Sequence, residues 1–444
     1  MNGKEKVGTI LIVTLAVIGI ALNAVLPQPS VAYAVIPTSQ TIITSAVAPR
    51  NVIVFIGDGM GPEQVRAAGM YQNGSAGTLV MESFPYSSTM TTYSASSDVT
   101  DSAASGTAIA TGHKVNNGVI SVAVPGDGRE LETLLERFHR HCKRAGLVTT
   151  TYATHATPAT FGAHETSRSY LNNIAYDYLY QTRPDVLFGG GANGLNPSNA
   201  AAAGYAVVQN RAEMQAVRPP LGVPVSGQFG TTHLPYEYDY FTGADPGYNT
   251  LPHLSEMVTT ALAILETAPD GFFLMVEGGR IDHAGHANDI ARNVFEVLEF
   301  DRAVEIAYTW AASRADTLII VTADHETGGL TVIANNGTGN FPTITWSTTG
   351  HTDTLVPVYA WGVNAELALQ VMDNTGIHQL ALAGFTEPVS CVPVSARVVD
   401  FRNHTGQIEQ LIVVVIVLGA GLHTLRERRA HLYHVETVFP ETFL

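Results

Sequence analysis

The stretch NVIVFIGDGMG, Asn51–Gly61, decides how the chain is read: a strand-like run, Asn51–Ile56, passes straight into Asp58, which sits between glycines. Four more segments repeat this pattern. Leu147–Thr154 leads into His155, Phe272–Val276 into Glu277, and Thr317–Ala323 into Asp324-His325, while Val356–Trp361 begins just after His351. An open α/β sheet carries its functional residues at the carboxyl ends of its strands. Acids and imidazoles drawn there from distant positions make the donor set of a multi-metal site. The segment DSAASGT, Asp101–Thr107, adds a serine, Ser102, at a predicted helix start. The glycines around Asp58 are not a dinucleotide fingerprint, because the spacing differs and an acid lies inside the run.

Between the strands lie helix-like stretches. Arg129–Gly146 presents Leu131, Leu134, Leu135 and Phe138 on one face, and His253–Ala268 and Asn288–Arg314 follow with helical spacing. This alternation predicts an α/β fold class: a central, mostly parallel sheet sandwiched by helices. Residues 190–250, rich in Gly, Pro, Asn and Tyr, read as an irregular excursion over the surface. There are no internal repeats.

The chain has 444 residues, 45% of them hydrophobic and only 14% charged, with a formal charge of −16. That balance argues against nucleic acid as a specific partner, since phosphate backbones are bound by basic surfaces. A phosphorylated substrate stays compatible with it, because bound metals supply local positive charge. Residues 1–34 read as an export signal: Lys4 and Lys6 precede the apolar run Val7–Leu26, and Ala32-Tyr33-Ala34 forms a small-x-small cleavage site. An uncleaved anchor is the alternative. Residues 35–49 read as a linker, 50–390 as the catalytic domain, and 391–444 as a tail. Within the tail, Leu411–Leu422 is a candidate short membrane-associated segment followed by Arg426, Arg428 and Arg429. The protein is thus expected to be exported (periplasmic, cell-surface or extracellular), with either end a candidate for membrane association. Cys142 and Cys391 are too few for a disulfide framework. One link between them and two separate buried thiols are equally open readings.

The chemistry is carried by a few clusters. In EGGRIDHAGH, Glu277–His286, a helical turn would set Asp282 and His286 on one face, a carboxylate and an imidazole at a spacing that suits zinc. In DHETGG, Asp324–Gly329, adjacent acid and imidazole at a strand end can both turn toward a metal while the glycines bend the backbone away. His351, after Thr348-Thr349-Gly350, is a third histidine source. Each cluster alone is weak evidence. In this order, Ile56–Gly61, Thr100–Ser105, His155–Ala159, Thr166–Arg168, Glu277–His286, Asp324–Gly329 and Gly350–Thr352 resemble the motifs of alkaline phosphatases, over residues 50 to 388.

The resemblance implies a phosphomonoesterase with a phosphoserine intermediate on Ser102, two Zn²⁺ and one Mg²⁺. Asp282, His286 and His351 look like the ligands of one zinc; Asp58, Asp324 and His325, joined by Ser102, look like those of the second. Asp58, Thr157 and Glu277 look like the third site, and Arg168 resembles the guanidinium that grips phosphate. A homodimer acting on small phosphate monoesters is also implied. Two positions depart from the commonest bacterial pattern: His155 stands where aspartate is usual, and His283 where lysine is. A less anionic third site should then bind magnesium more weakly and accept another divalent metal. A phosphodiesterase or sulfatase of the same superfamily is the nearest alternative; the segment after Ser102 lacks the sulfatase modification signature. A non-catalytic exported protein that binds metal or phosphate is the alternative from another class.

Overall fold

The computed structural model describes residues 46–244 and 246–387. The leader, most of the linker, the tail with its apolar segment 411–422, and Cys391 lie outside the described residues.

The centre of the fold is β1 (Asn51–Ile56), buried at every position. It pairs in parallel with β7 (Phe272–Glu277) on one side and β8 (Thr317–Thr322) on the other. Beyond β7 follow β3 (Arg144–Tyr152), β4 (Val186–Gly190), β6 (Val225–Gln228) and β5 (Ala206–Val208), all parallel. Beyond β8 come β13 (Val356–Gly362), antiparallel to it, and β2 (Tyr86–Met90), antiparallel to β13. The nine-stranded sheet therefore runs β2-β13-β8-β1-β7-β3-β4-β6-β5, matching the expected α/β class. Strands such as VIVFI and LIIV are apolar without alternation because both faces are covered.

The helices, in chain order, are α1 (Pro62–Asn73), α2 (Ser102–Thr111), α3 (Leu134–Arg140), α4 (Ala156–Gly162), α5 (Leu171–Tyr176), α6 (Pro197–Ala202), α7 (Arg211–Gln215), α8 (Glu237–Thr242), α9 (Leu254–Leu265), α10 (Arg280–His286), α11 (Ile290–Ala311) and α12 (Thr375–Ala381). No described helix is long and apolar enough to cross a membrane. Two small two-stranded patches accompany the sheet: β9 (Glu326–Thr327) pairs with β12 (His351–Thr352), and β10 (Thr331–Ala334) with β11 (Thr343–Thr345).

Register brings the functional edge together. Ile56 lies beside both Glu277 and Thr322, so β1, β7 and β8 end flush and the residues after them share one rim. β13 runs the other way. Its beginning lies on that rim, which is why His351 precedes its strand while the other candidates follow theirs.

Four expectations are corrected. The helix predicted over Arg129–Gly146 is only Leu134–Arg140: Thr133 and Glu136 form a capping box that fixes its start, and Val122 bridges Glu130 just upstream. The chain turns at Cys142, which has φ 61°, and β3 begins at Arg144, ahead of the predicted Leu147. Cys142 is exposed and is not a free thiol, so the reading of two buried thiols fails for it. Residues 190–250 are more than a surface excursion, since β5 and β6 complete one edge of the sheet. Those strands are short and partly polar (VSGQ in β6), so they carry no period-2 signal.

The capping residue Glu136 also ties α3 to the loop after α4. Glu136 Oε2 accepts from the Thr133 backbone N–H (2.9 Å), and its Oε1 lies 3.2 Å from His164 Nε2. His164 Nδ1 donates to Ser121 O at 2.9 Å. With both ring nitrogens facing acceptors, the imidazolium is the form that fits. Burial opposes its charge, but the hydrogen bond and charge of Glu136 outweigh burial and raise His164 to about 9. The same contact overcomes burial at Glu136 and lowers its pKa. Stability from His164 is complete below its ordinary 6.5 and is lost as pH rises through about 9. Stability from Glu136 is complete above its ordinary 4.5 and is lost as pH falls through its lowered value. His164→Gln should therefore lower the melting temperature at pH 6, by an amount equivalent to roughly 1–3 kcal/mol, with the gap to wild type closing by pH 9.5 in a melting series across that range.

Candidate metal centre

Ser102 opens α2. Asp101 caps that helix, its carboxylate accepting from the Ala104 N–H at 3.0 Å. The Ser102 hydroxyl is buried at the rim, 3.4 Å from His325 Nε2. α10 begins three residues after β7 ends, and its single exposed-to-rim face carries Asp282 and His286, with His286 Nε2 3.2 Å from Asp282 Oδ1. His351 Nε2 lies 3.5 Å from the same oxygen. His325 Nε2 is 3.2 Å from Asp324 Oδ2 and 3.5 Å from Asp58 Oδ1.

The orientation of the imidazoles is informative. His286 Nδ1 meets Thr349 O at 2.5 Å and His351 Nδ1 meets Thr100 O at 2.9 Å. A carbonyl only accepts, so both Nδ1 atoms carry a proton and both Nε2 atoms turn inward toward Asp282, which raises the pKa of both rings. The two Nε2 atoms face each other at 3.2 Å beside one carboxylate, a donor set that could hold a cation in place of protons. Thr327 Oγ1 donates to Asp282 Oδ1 (2.5 Å) and lies 3.3 Å from His325 Nδ1. With its one proton committed to Asp282, Thr327 accepts from His325, which leaves the third Nε2 lone pair inward as well. A backbone carbonyl or hydroxyl behind each ring is the arrangement that orients metal-ligating histidines.

The carboxylates fit metals by the same test. Among the described residues, both oxygens of Asp58, Oδ2 of Asp324, Oε1 of Glu277, Oγ1 of Thr157 and Nδ1 of His155 are buried without a hydrogen-bond partner. Burial, and then the charges of Asp324, Asp282 and Glu277, push Asp58 well above the carboxylate range. Burial and the charge of Asp282 raise Asp324 to about 7. Buried, unpaired acids at this density call for cations. Donor atoms within 4.8 Å of one another form three groups here: Asp282, His286 and His351; Asp58, Asp282 and His325; and Asp58, His155 and Glu277. All eleven side chains expected as metal ligands or as neighbours of the third site therefore lie along one rim, with Thr157 reaching it from α4 and His283 from α10.

Arg168 lies in the loop after α4, not on a helix. Its Nη1 donates to Asp101 Oδ2 at 3.0 Å and its Nη2 to His155 Nε2 at 3.3 Å. The arginine is thus tied to the cap of the Ser102 helix and to the third group. His155 is kept neutral by burial, and further by the charge of Arg168. His283 is half-buried beside Arg280, its ring centroid 5.8 Å from that of His155.

Three residues went unnoticed in the sequence. Asp101 and Thr327 lay inside quoted motifs without a role. His233 came from the segment read as an excursion, and its ring packs edge-on 4.5 Å from His283 and 5.7 Å from His155. A lone histidine among Gly and Thr gave no signal. A further carboxylate–imidazole group, Glu237, His253 and Glu299, lies apart from these. Hydrogen bonds account for it: His253 Nδ1 donates to Glu237 at 2.8 Å, and Glu299 accepts from the Ser255 N–H at 2.8 Å.

The family described as alkaline phosphatase matches residues 49–343. Alkaline phosphatase 3 of Bacillus subtilis (strain 168) is 38% identical over 303 residues, a match covering 64% of this chain and 63% of that protein. Streptomycin-6-phosphate phosphatase of Streptomyces griseus is 35% identical over 439 residues, covering 82% of this chain and 95% of that protein. Among solved structures, a variant of the TAB5 alkaline phosphatase with magnesium in its M3 site is 28% identical with a TM-score of 0.65, covering 76% of this chain and 98% of that one. Sequence family, sheet order and the convergence on one rim agree, and the chain belongs to the alkaline phosphatase family.

Proposed function

We propose that the chain is an exported, zinc- and magnesium-dependent phosphomonoesterase that works through a phosphoserine on Ser102. The observation that carries this reading is the set of three imidazoles, His286, His325 and His351, each held from behind so that Nε2 faces the rim where Ser102 stands. Asp282, His286 and His351 would hold one zinc, Asp58, Asp324 and His325 the other, and Asp58, Thr157 and Glu277 the magnesium. Bound there, divalent ions supply Lewis acidity, lowering the pKa of the oxygens they hold and neutralising phosphoryl charge.

The chain's own groups account for the rest. Ser102 Oγ forms a bond to phosphorus as the ester P–O bond breaks in line, and the alcohol leaves with a proton. Water then attacks phosphorus, the Ser102 Oγ–P bond breaks, and phosphate departs. Ser102 is the first helical residue of α2, whose N-terminal dipole favours negative charge on its oxygen. Arg168 offers a planar fork to the equatorial oxygens, and Asp101 holds Nη1 so that only Nη2 must leave His155 when phosphate arrives. Export rests on the leader with its Ala32-Tyr33-Ala34 site.

Ser102→Ala should retain zinc and lose p-nitrophenyl phosphate turnover by roughly 10³-fold or more; unchanged phosphate release in that variant would remove the mechanism. Hydrolysis of bis-p-nitrophenyl phosphate as fast as the monoester would point to a diesterase instead. His155 puts a neutral imidazole where a third carboxylate would strengthen magnesium binding. Activity of chelator-treated, zinc-reloaded protein should therefore climb through a millimolar magnesium titration, and His155→Asp should shift that titration to lower magnesium.

A further inference from the structure

α2 carries the nucleophile, but among the described residues the Ser102 hydroxyl has one side-chain hydrogen-bond partner, His325. Its place relative to the metal ligands is set one turn along the helix. Ser105 Oγ donates to the backbone carbonyl of Asp324 at 2.7 Å, with both residues fully buried. Asp324 in turn has its carboxylate fixed by the N–H groups of Gly59 (3.1 Å) and His325 (2.9 Å). The first turn of α2 is thus bonded directly to the dipeptide Asp324-His325.

What makes Ser105 donate in that direction is Asn374, at the start of α12 and completely buried. Its Nδ2 donates to Ser105 Oγ at 2.9 Å and to Thr92 O at 3.3 Å. Its Oδ1 accepts from Lys114 Nζ at 2.6 Å. An ammonium only donates, so the oxygen of the amide must face Lys114 and the nitrogen must face Ser105. Having received a proton from Asn374, the Ser105 hydroxyl has its own proton free for Asp324 O, and the two bonds reinforce each other. Lys114 is itself fixed by Asp373 (2.9 Å) and by the Tyr93 ring, 3.7 Å from its nitrogen.

We infer that Asn374, acting through Ser105, is a positioning residue for the reaction: the chain Lys114–Asn374–Ser105–Asp324 sets the separation between Ser102 and His325. The inference rests on the phosphomonoesterase reading. It assigns a role in turnover to a segment near residue 374, over 20 residues past the last ligand, His351, and outside every motif of the site.

Asn374→Asp keeps the shape and the acceptor for Lys114 but removes the donor to Ser105, so Ser105 can turn its proton to the new carboxylate and release Asp324. Ser105→Ala removes the last link. With p-nitrophenyl phosphate, each folded variant should lose roughly 10-fold in kcat, as expected for a displacement well under 1 Å between reacting groups. KM should change less than about 2-fold and zinc content should stay at the wild-type level, because no ligand is touched. The double variant should be no slower than the slower single one, since both cut one path. A role confined to folding would lower the melting temperature and leave kcat of the folded protein intact. Wild-type kcat in Ser105→Ala, or additive losses in the double variant, would overturn the inference. If Asn374→Asp fails to fold, Asn374→Ser and Ser105→Ala carry the same comparison. An inactive zinc-loaded wild type would instead sink the phosphomonoesterase reading, a different result from an active wild type with equally active variants.

Discussion

Four carboxylates crowded on one rim of the sheet, Asp58, Glu277, Asp282 and Asp324, none more than 5% exposed, are the constraint to which the structure answers. Left to themselves they repel, and burying each costs several kcal/mol. A flexible scaffold would let them part. Here the flush ends of β1, β7 and β8 deny that relaxation, because all three strands are buried throughout and packed on both faces. The imidazoles relieve only Asp282, while burial and neighbouring carboxylates keep Asp58 and Asp324 pushed up. Cations are what the assembly is built around, and the sheet is the frame that keeps the donors from drifting apart in the meantime.

The turn after β1 illustrates how tightly that frame is drawn. Gly59 has φ +72°, and a Cβ there would come within 2.8 Å of the Asp282 Cα and 2.7 Å of the Thr327 hydroxyl. Both the left-handed backbone and the close approach exclude any other residue. Asp58 can therefore sit against α10 and β9 only because its neighbour lacks a side chain. The glycines in the quoted motif serve approach between chain segments, as opposed to flexibility.

Much of this was legible from sequence because the signals are local. Uninterrupted apolar runs ending in Asp58, Glu277 and Asp324 mark strands of a buried parallel sheet, and Asp282 with His286 has helical spacing. What escaped notice depends on neighbours far along the chain. The start of α3 was hidden because a capping box at Thr133 and Glu136 outweighs the apolar period continuing upstream. β5 and β6 join the sheet by backbone pairing with short, partly polar segments. His233 owes its place to packing against His283, and Asn374 to the burial of α12 beside α2; neither carries a pattern of its own. Charge balance, by contrast, spoke only against one class of partner and named no site residue.

The place of β13 late in the chain has one more effect. His351, the expected ligand just before that strand, lies nearly three hundred positions after Asp58. The first group of donors then spans Asp282 to His351, and any piece of chain cut short of the later residue lacks one member of it. During synthesis from the amino end, capture of an ion by the full set has to wait until almost all of the catalytic region exists, so occupancy of the centre is a statement that the domain has been completed.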